Sequence, residues 1–418
     1  MSESLVAWLD RIERLHAKPI DLGLDRVRAV AERLDLHLTI PTIVVGGTNG
    51  KGSTCAMLDS ILRAAGYRVG LYTSPHLMRF NERARIDGAD ASDAQLVTQF
   101  EAVDAARGAA TLTYFEFTTL AIVRLFSQSR LDAAVLEVGL GGRLDAVNVF
   151  DADAAIVTSV ALDHVGYLGA TRELVGFEKA HIYRRGRPAI CSDPVPPDSL
   201  LEYAQTVGAD LWQFGRDFNY QGDRQQWAYA GRHLRRASLP YPALRGANQL
   251  LNAAGALAAL ESIAPRLPVS QQAVRQGLLT AQLPARFQVL PGRPAIVLDV
   301  AHNPHAAAVL AQNLDMMGFF PVTHAVFGML RDKDIDGVIA KVKDKIDHWH
   351  LAPITGARGT SAEDIVRRLR SAAAAGSVTA YENFAKAFNA AREHAEPDDR
   401  ILVFGSFLSV AEVLRAIS

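Results

Sequence analysis

A chain of 418 residues, 49% hydrophobic and 21% charged, is long enough to bury more than one core, so two domains are expected. Its 44 basic residues nearly balance 45 acidic ones, which removes any global charge favouring nucleic acid or a membrane surface and leaves anion binding to local sites. The two cysteines, Cys55 and Cys191, exclude a disulfide framework and a four-cysteine zinc site and fit a reducing compartment, so a cytoplasmic location is expected.

The opening "MSESLVAWLDRIERLH" mixes charge with apolar residues at helical spacing and reads as an amphipathic helix, not as a secretory signal. No apolar run reaches the length a membrane span needs. Apolar runs "TIVVGG", "RVGLYTS", "DAAVLEVG" and "AAIVTSV" then alternate with helical patterns at 52–65, 92–106 and 115–128, which predicts a parallel sheet with helices on both faces. Residues 216–240 break that rhythm with polar and aromatic residues suited to an antiparallel excursion, and helical patterns return at 247–264 and 270–281. Prolines and a glycine in "LPARFQVLPGRP" mark a boundary region at 283–294. Strand-like "AIVLDV", "HAVFGM", "HWHLAP", "SVTAY" and "ILVFGS" follow, separated by helical stretches, and predict a second, smaller α/β unit.

Within the first series, "TIVVGGTNGKGST" passes from a strand through glycines into a helix, an arrangement that aims backbone N–H groups and a positive helix end at one spot and suits phosphate. The usual phosphate-loop pattern is missed, because Val45 occupies the first glycine position and Gly52 follows Lys51, so the hydroxyl arrives one residue late at Ser53. A dinucleotide fingerprint also fails, in "GLGGRL" because Leu144 stands last. The strand ending in "YTSPHL" sets Ser74 and His76 at a sheet edge, where open α/β sheets bind ligands. Glu137 interrupts an apolar strand; a buried carboxylate there needs a cation or a base such as Arg143, and magnesium and a salt bridge weigh equally. Asp163 and His164 follow another strand, and Lys179 lies in a helix beginning near Thr171.

Taken in order, "GGTNGKGST", "YTSPHL", "EVGLGGRLDAVN", "LDHVGYLG", "EKAHI", "GANQLLNAAGA", "LPARFQ" and "DVAHNP" resemble the folylpolyglutamate synthase family, within the Mur ligase superfamily, over nearly the whole chain. The resemblance implies an α/β protein in two parts: a phosphate-loop ATPase domain with a mostly parallel sheet, 1–288, and a smaller C-terminal Rossmann-like α/β domain, 289–418, with the active site between them. It implies ATP-dependent amide ligation, in which a substrate carboxylate attacks the γ-phosphate and glutamate captures the acyl phosphate. Thr48, Asn49, Gly50, Lys51, Gly52 and Ser53 would grip the phosphates, with Asn252, Arg286 and Asp299 as further ATP contacts. Ser74, Glu137 and His164 match the family's magnesium ligands, and a pair of ions is expected. Lys179 matches the lysine the family carries as a carbamate, which would turn a cation into an anionic oxygen ligand; an unmodified lysine on phosphate is the alternative. Lys51, Lys179 and His302 are the expected catalytic residues, and Ser406 is placed with glutamate or, more plainly, as a helix cap. Many family members carry Gly where Ala285 stands.

The acid to be extended is read from two segments. "AKPIDLGLDRV" and "TLTYFEFTTLA" resemble the pterin-binding stretches of the family's bifunctional bacterial members, which act on 7,8-dihydropteroate and on reduced folates. Pro19, Ile20, Asp21, Thr113, Tyr114, Phe115 and Glu116 are therefore expected to meet the acceptor, with Leu144, Asp145 and Ala146 bordering the same pocket and Phe117 in the core. A bifunctional synthase is the first expectation, acting as a monomer on small molecules without nucleic acid or membrane. A synthase restricted to polyglutamylation, a Mur-type amino-acid ligase, a phosphate-loop kinase or GTPase, and a folate-binding protein without turnover remain as alternatives.

Overall fold

The computed structural model describes residues 3–223 and 225–417. The chain divides into two compact units, one built from residues up to Ala161 with Leu168–Ala243 and Leu250–Gln282, the other from Leu162–Tyr167, Leu244–Gln249 and everything from Leu283 onward.

The first unit opens with helices α1 (Leu5–Glu13) and α2 (Asp25–Arg33), followed by β1 (Thr42–Gly46), α3 (Lys51–Ala64), β2 (Val69–Tyr72), β3 (Ala84–Ile86) and β4 (Ala89–Asp90). It continues through α4 (Asp93–Arg107), α5 (Tyr114–Gln128), β5 (Ala133–Glu137), β6 (Ala154–Val157), α7 (Arg172–Ala180), β7 (Pro188–Cys191), α8 (Asp198–Val207) and β8 (Asp210–Gln213), while α6 (Val165–Leu168), between β6 and α7 in the chain, falls mostly in the second unit. Strands β9 (Asn219–Gly222), β10 (Gln226–Ala230) and β11 (Arg235–Pro240) then precede α9 (Gln249–Ser262) and α10 (Gln271–Thr280).

These strands form an 8-stranded sheet in the order β4-β3-β2-β5-β1-β6-β7-β8, and β9 to β11 form a separate antiparallel sheet, the excursion expected over 216–240. Along β2-β5-β1-β6-β7-β8 every neighbouring pair is parallel; only the β2-β3-β4 edge is antiparallel. Parallel strands covered on both faces carry no polar alternation, and β1, β5 and β6 are accordingly buried at every residue. In α1, Leu5, Trp8 and Ile12 recur at helical spacing and enter the core, and Ser4 caps the first turn through Ala7 N.

The second unit holds β12 (Gln288–Leu290), β13 (Ala295–Leu298), α11 (Pro304–Asp315), β14 (Thr323–Phe327), α12 (Ile335–Val342), β15 (His348–Leu351), α13 (Ala362–Ser371), β16 (Ser377–Ala380), α14 (Phe384–His394), β17 (Arg400–Phe404) and α15 (Phe407–Ile417). Its 6-stranded sheet has the order β12-β13-β17-β14-β15-β16, with β12 alone antiparallel. Both units thus present the ends of parallel strands, the place where such sheets gather ligands. No helix among the described residues is long and apolar enough to cross a membrane.

Candidate active site

Strand β1 is central in its sheet and hands the chain directly to the glycine loop. Gly47 has φ +137, and a Cβ there would lie 1.9 Å from Thr158 Oγ1; Gly50, at φ +87, caps α3, and its Cβ would lie 2.5 Å from Asn252 Oδ1. Both glycines therefore serve handedness and close approach together. The Thr48 hydroxyl donates to Ala161 O at 3.1 Å and accepts from Ala161 N at 3.0 Å, while Asn49 N donates to Ser159 Oγ at 3.0 Å. Gly52 and Ser53 lie buried in the first turn of α3. Lys51 Nζ folds back to donate to Gly47 O at 3.1 Å and Thr48 O at 3.3 Å. Lys179, buried on α7, reaches the same Gly47 carbonyl at 3.0 Å. The loop, both predicted lysines and Asn252 are thus brought together.

Strands β2 and β5 are neighbours, and this sets Ser74 beside Glu137: Ser74 N donates to Glu137 Oε2 at 3.0 Å. Glu137 is 3% exposed at the end of β5, so its carboxylate sits where desolvation is compensated only by donors or a cation. A carboxylate and a hydroxyl are hard oxygen donors, which suits magnesium with its remaining ligands drawn from water and phosphate. Arg143 pairs elsewhere, with Glu178 at 2.8 Å. Asp145 is buried as well; its oxygens accept from Leu140 N at 2.8 Å and Val147 N at 3.0 Å. Burial pushes its carboxyl up to about 6, against those backbone bonds and the Lys51 charge. Ala146 is buried beside it and Leu144 half-buried.

The acceptor segments meet through a residue that was not singled out. Arg26 pairs with Asp21 at 2.9 Å and with Glu116 at 2.9 Å, tying the loop that carries exposed Pro19 and half-buried Ile20 to the start of α5. His16 Nε2 holds Asp21 from the other side at 3.1 Å. Glu116 is the far half of a capping box: it accepts from Thr113 N at 2.7 Å, and Thr113 Oγ1 accepts from Glu116 N at 3.2 Å. Its carboxylate is therefore engaged within the protein. Phe115 stacks on Tyr72 with ring centres 6.2 Å apart, and the Arg83 guanidinium lies 5.5 Å from the Tyr114 ring. Phe117 is fully buried against Trp8 and Phe100, a core residue as expected.

In the second unit a cluster forms around Asp163. Lys333 Nζ donates to its Oδ1 at 2.6 Å, Asn303 Nδ2 to its Oδ2 at 3.2 Å, and His302 Nε2 lies 3.5 Å from Oδ2. Lys333 Nζ also lies 3.2 Å from His164 Nε2. Burial would raise the Asp163 carboxyl, but the His302 contact and the Lys333 charge hold it well below the usual carboxylate range. His302 Nδ1 donates to Val300 O at 2.8 Å, which fixes the ring. Asp299 accepts from Ala301 N at 2.7 Å and Phe287 N at 2.9 Å, anchoring the segment that carries Arg286, whose guanidinium lies 5.1 Å from the Phe407 ring. Ala285 has φ +60, left-handed backbone in which glycine is easier to accommodate, and this explains why the position tolerates Gly. Ser406 Oγ accepts from Leu408 N at 3.2 Å, the bond of a helix cap.

Lys333 and Arg26 are the residues that sequence reasoning passed over. Lys333 sits in "RDKDID", a charge run that normally marks a solvated surface, yet its side chain is 6% exposed. Arg26 lies inside the acceptor segment and reads there as an ordinary exposed helix residue.

With this geometry the chain can be set beside known proteins. Residues 45–260 match the Mur ligase middle domain, and residues 285–407 match the Mur ligase glutamate ligase domain. The dihydrofolate synthase/folylpolyglutamate synthase of Escherichia coli (strain K12) is 45% identical over 414 residues, 99% of this chain and 95% of that protein. The structure of E. coli FolC in complex with DHPP and ADP superimposes with a TM-score of 0.95 at 44% identity, covering 100% of this chain and 98% of that one. A bifunctional folylpolyglutamate synthase/dihydrofolate synthase with Mn, AMPPNP and L-glutamate bound gives 0.92 at 44% identity over 100% of this chain and 98% of that one. This chain belongs to the dihydrofolate synthase/folylpolyglutamate synthase family of Mur ligases.

Proposed function

We propose that this chain is an ATP-dependent ligase that joins L-glutamate to 7,8-dihydropteroate, forming dihydrofolate, and adds further glutamates to reduced folates. The observation that carries the reading is the approach of Lys51 and Lys179 to one carbonyl of the glycine loop, in a chain alike over its full length to proteins of that name. Phosphoryl transfer asks mainly for charge neutralisation and positioning, and the loop N–H groups, the α3 N-terminus and Lys51 supply both to the β- and γ-phosphates.

An oxygen of the acceptor carboxylate attacks the γ-phosphorus, the bond to the bridging oxygen breaks, and ADP leaves with that electron pair. The neutral amine of glutamate then attacks the acyl carbon; phosphate departs with the former carboxylate oxygen, and the nitrogen loses a proton to give the amide. Ser74, Glu137 and His164 are the proposed magnesium ligands, and the ion supplies charge neutralisation on phosphate oxygens. Asn252, Arg286 and Asp299 belong to the nucleotide site in this reading, Tyr114 and Phe115 to the acceptor, and His302 and Ser406 to glutamate. Arg26 positions the acceptor loop through Asp21 and Glu116. Oxygen-18 in the acceptor carboxylate is expected to appear in the phosphate product; label retained wholly in the amide would contradict the acyl phosphate.

Carbamylation of Lys179 is a separate part of the proposal. Lys179 is 3% exposed, its amine on the same carbonyl as that of Lys51, where a negative carbamate would relieve the repulsion between two cations. Lys179→Ala is expected to regain activity with added short carboxylates; absence of rescue, together with an unmodified amine in the intact enzyme, would remove the carbamate.

A further inference from the structure

Beyond the phosphate loop, the far half of α3 borders a cavity of about 470 Å³ in the first unit, within the size range of small-ligand sites. Asp59, Ser60 and Arg63 of α3 line it, with Arg85 of β3, Gly88 of the β3-β4 turn and Thr280 of α10. Asp59 and Arg63 lie roughly two and three helical turns beyond Lys51, so the cavity is distinct from the phosphate site.

The lining has unused bonding capacity of both signs. Asp59 is 5% exposed; its Oδ2 accepts from Arg63 Nε at 3.0 Å, but its buried Oδ1 has no hydrogen-bond partner among the described residues. A buried carboxylate oxygen without a donor is costly. Gly88 leaves room for the Arg63 guanidinium: a Cβ added there would lie 2.6 Å from Arg63 Nη1. Arg85 donates through Nε to Asp90 at 2.9 Å. Among the described residues the terminal nitrogens of Arg63 and Arg85 make no hydrogen bond, so each guanidinium keeps its forked end for an oxyanion. Their charges are already balanced by Asp59 and Asp90, with exposed Asp87 adding another negative charge, so the site has no surplus positive charge for a purely anionic ligand. What fits is a molecule carrying both signs.

We propose that this cavity is a second ligand site, for a free zwitterionic amino acid whose carboxylate meets Arg85 and Arg63 and whose ammonium group donates to Asp59. It is separate from the ligase reaction and does not depend on that assignment. Ser60 Oγ and Thr280 Oγ1, 2.9 Å apart, add a hydroxyl pair to the lining.

The test is calorimetric titration of the full chain with L-glutamine, with inorganic phosphate as the purely anionic arm, in the absence of ATP. L-Glutamine is expected to saturate one site with a Kd near or below about 1 mM, and Arg85→Gln to weaken it at least about tenfold. Asp59→Asn, which keeps the side-chain size, is expected to do the same, and Lys51→Ala to leave it unchanged. Absence of saturation up to about 10 mM, affinity unaffected in both cavity variants, or loss of binding in Lys51→Ala would overturn the proposal, as would phosphate binding as tightly as L-glutamine with the same dependence on Arg85.

Discussion

Lys51 and Lys333 are both lysines in glycine-rich or charged sequence, and their surroundings give them different tasks. Lys51 donates to carbonyls of its own loop, from which it can turn to a phosphate, so Lys51→Ala is expected to lower kcat by roughly 10²–10³ with the fold intact, checked by steady-state kinetics and circular dichroism. Lys333 is buried against Asp163, and Lys333→Met leaves that carboxylate without its nearest cation. Breaking such a pair costs about 3–5 kcal/mol, so the variant is expected to unfold at markedly lower urea, whereas an unchanged midpoint would make the pair energetically idle. Glu137 was legible because a carboxylate interrupting an apolar strand is an anomaly that the chain itself displays. Lys333 was not, because its burial arises from Asp163 and His164, distant in sequence, and a local charge run carries no sign of them.

At the scale of elements, periodicity was a sound guide where one face or one whole strand is buried. The helical patterns at 92–106 and 115–128 correspond to α4 and α5, each opened by a capping box. Strands β7 and β8 escaped notice because each is only 4 residues long and β8 buries Trp212 alone, so their place in the sheet rests on the β6-β7 and β7-β8 pairings rather than on local pattern. The start of α5 links stability to the acceptor reading: Thr113 caps the turn on which Tyr114 and Phe115 stand. Thr113→Ala is expected to cost about 1 kcal/mol and to raise KM for the pterin acceptor more than KM for ATP. Thr113→Ser should restore both. Equal changes in the two KM values would detach the cap from the acceptor site. The acceptor loop itself was legible only as a resemblance, since Arg26, which bridges Asp21 to Glu116, lies 90 residues from Glu116 in sequence.

For the molecule as a whole, the second unit carries a histidine cluster whose titration bears on stability in acid. In the second unit His324 and His350 face each other at 3.4 Å, His348 packs on His324 with ring centres 4.9 Å apart, and His394 stacks on His350 at 6.0 Å. Tyr381 Oη meets His350 Nδ1 at 3.2 Å, and Asp399 approaches His324 at 3.5 Å, an ion-pair distance without hydrogen-bond geometry. Burial, followed by the neighbouring imidazoles, pushes His350 down to about 4. Above about pH 6.5 the residue is neutral folded or unfolded and stability does not change with its titration. Below that, the unfolded chain takes a proton that the folded unit refuses until about pH 4, so about 3 kcal/mol is lost across this window. Urea unfolding between pH 7 and 4.5 should show this slope in the wild type and a shallower one in His350→Gln; identical slopes would contradict it.

The central claim is that this chain couples ATP cleavage to glutamate addition on two kinds of acceptor, and ADP release tests it most directly. Purified protein with ATP, magnesium and L-glutamate would be given 7,8-dihydropteroate, a reduced folate, or no acceptor, with glutamate omitted in parallel. Release that requires glutamate and occurs with either acceptor is the predicted result. Release with reduced folate alone would restrict the enzyme to polyglutamylation, and release indifferent to glutamate, or none with either acceptor, would contradict the account.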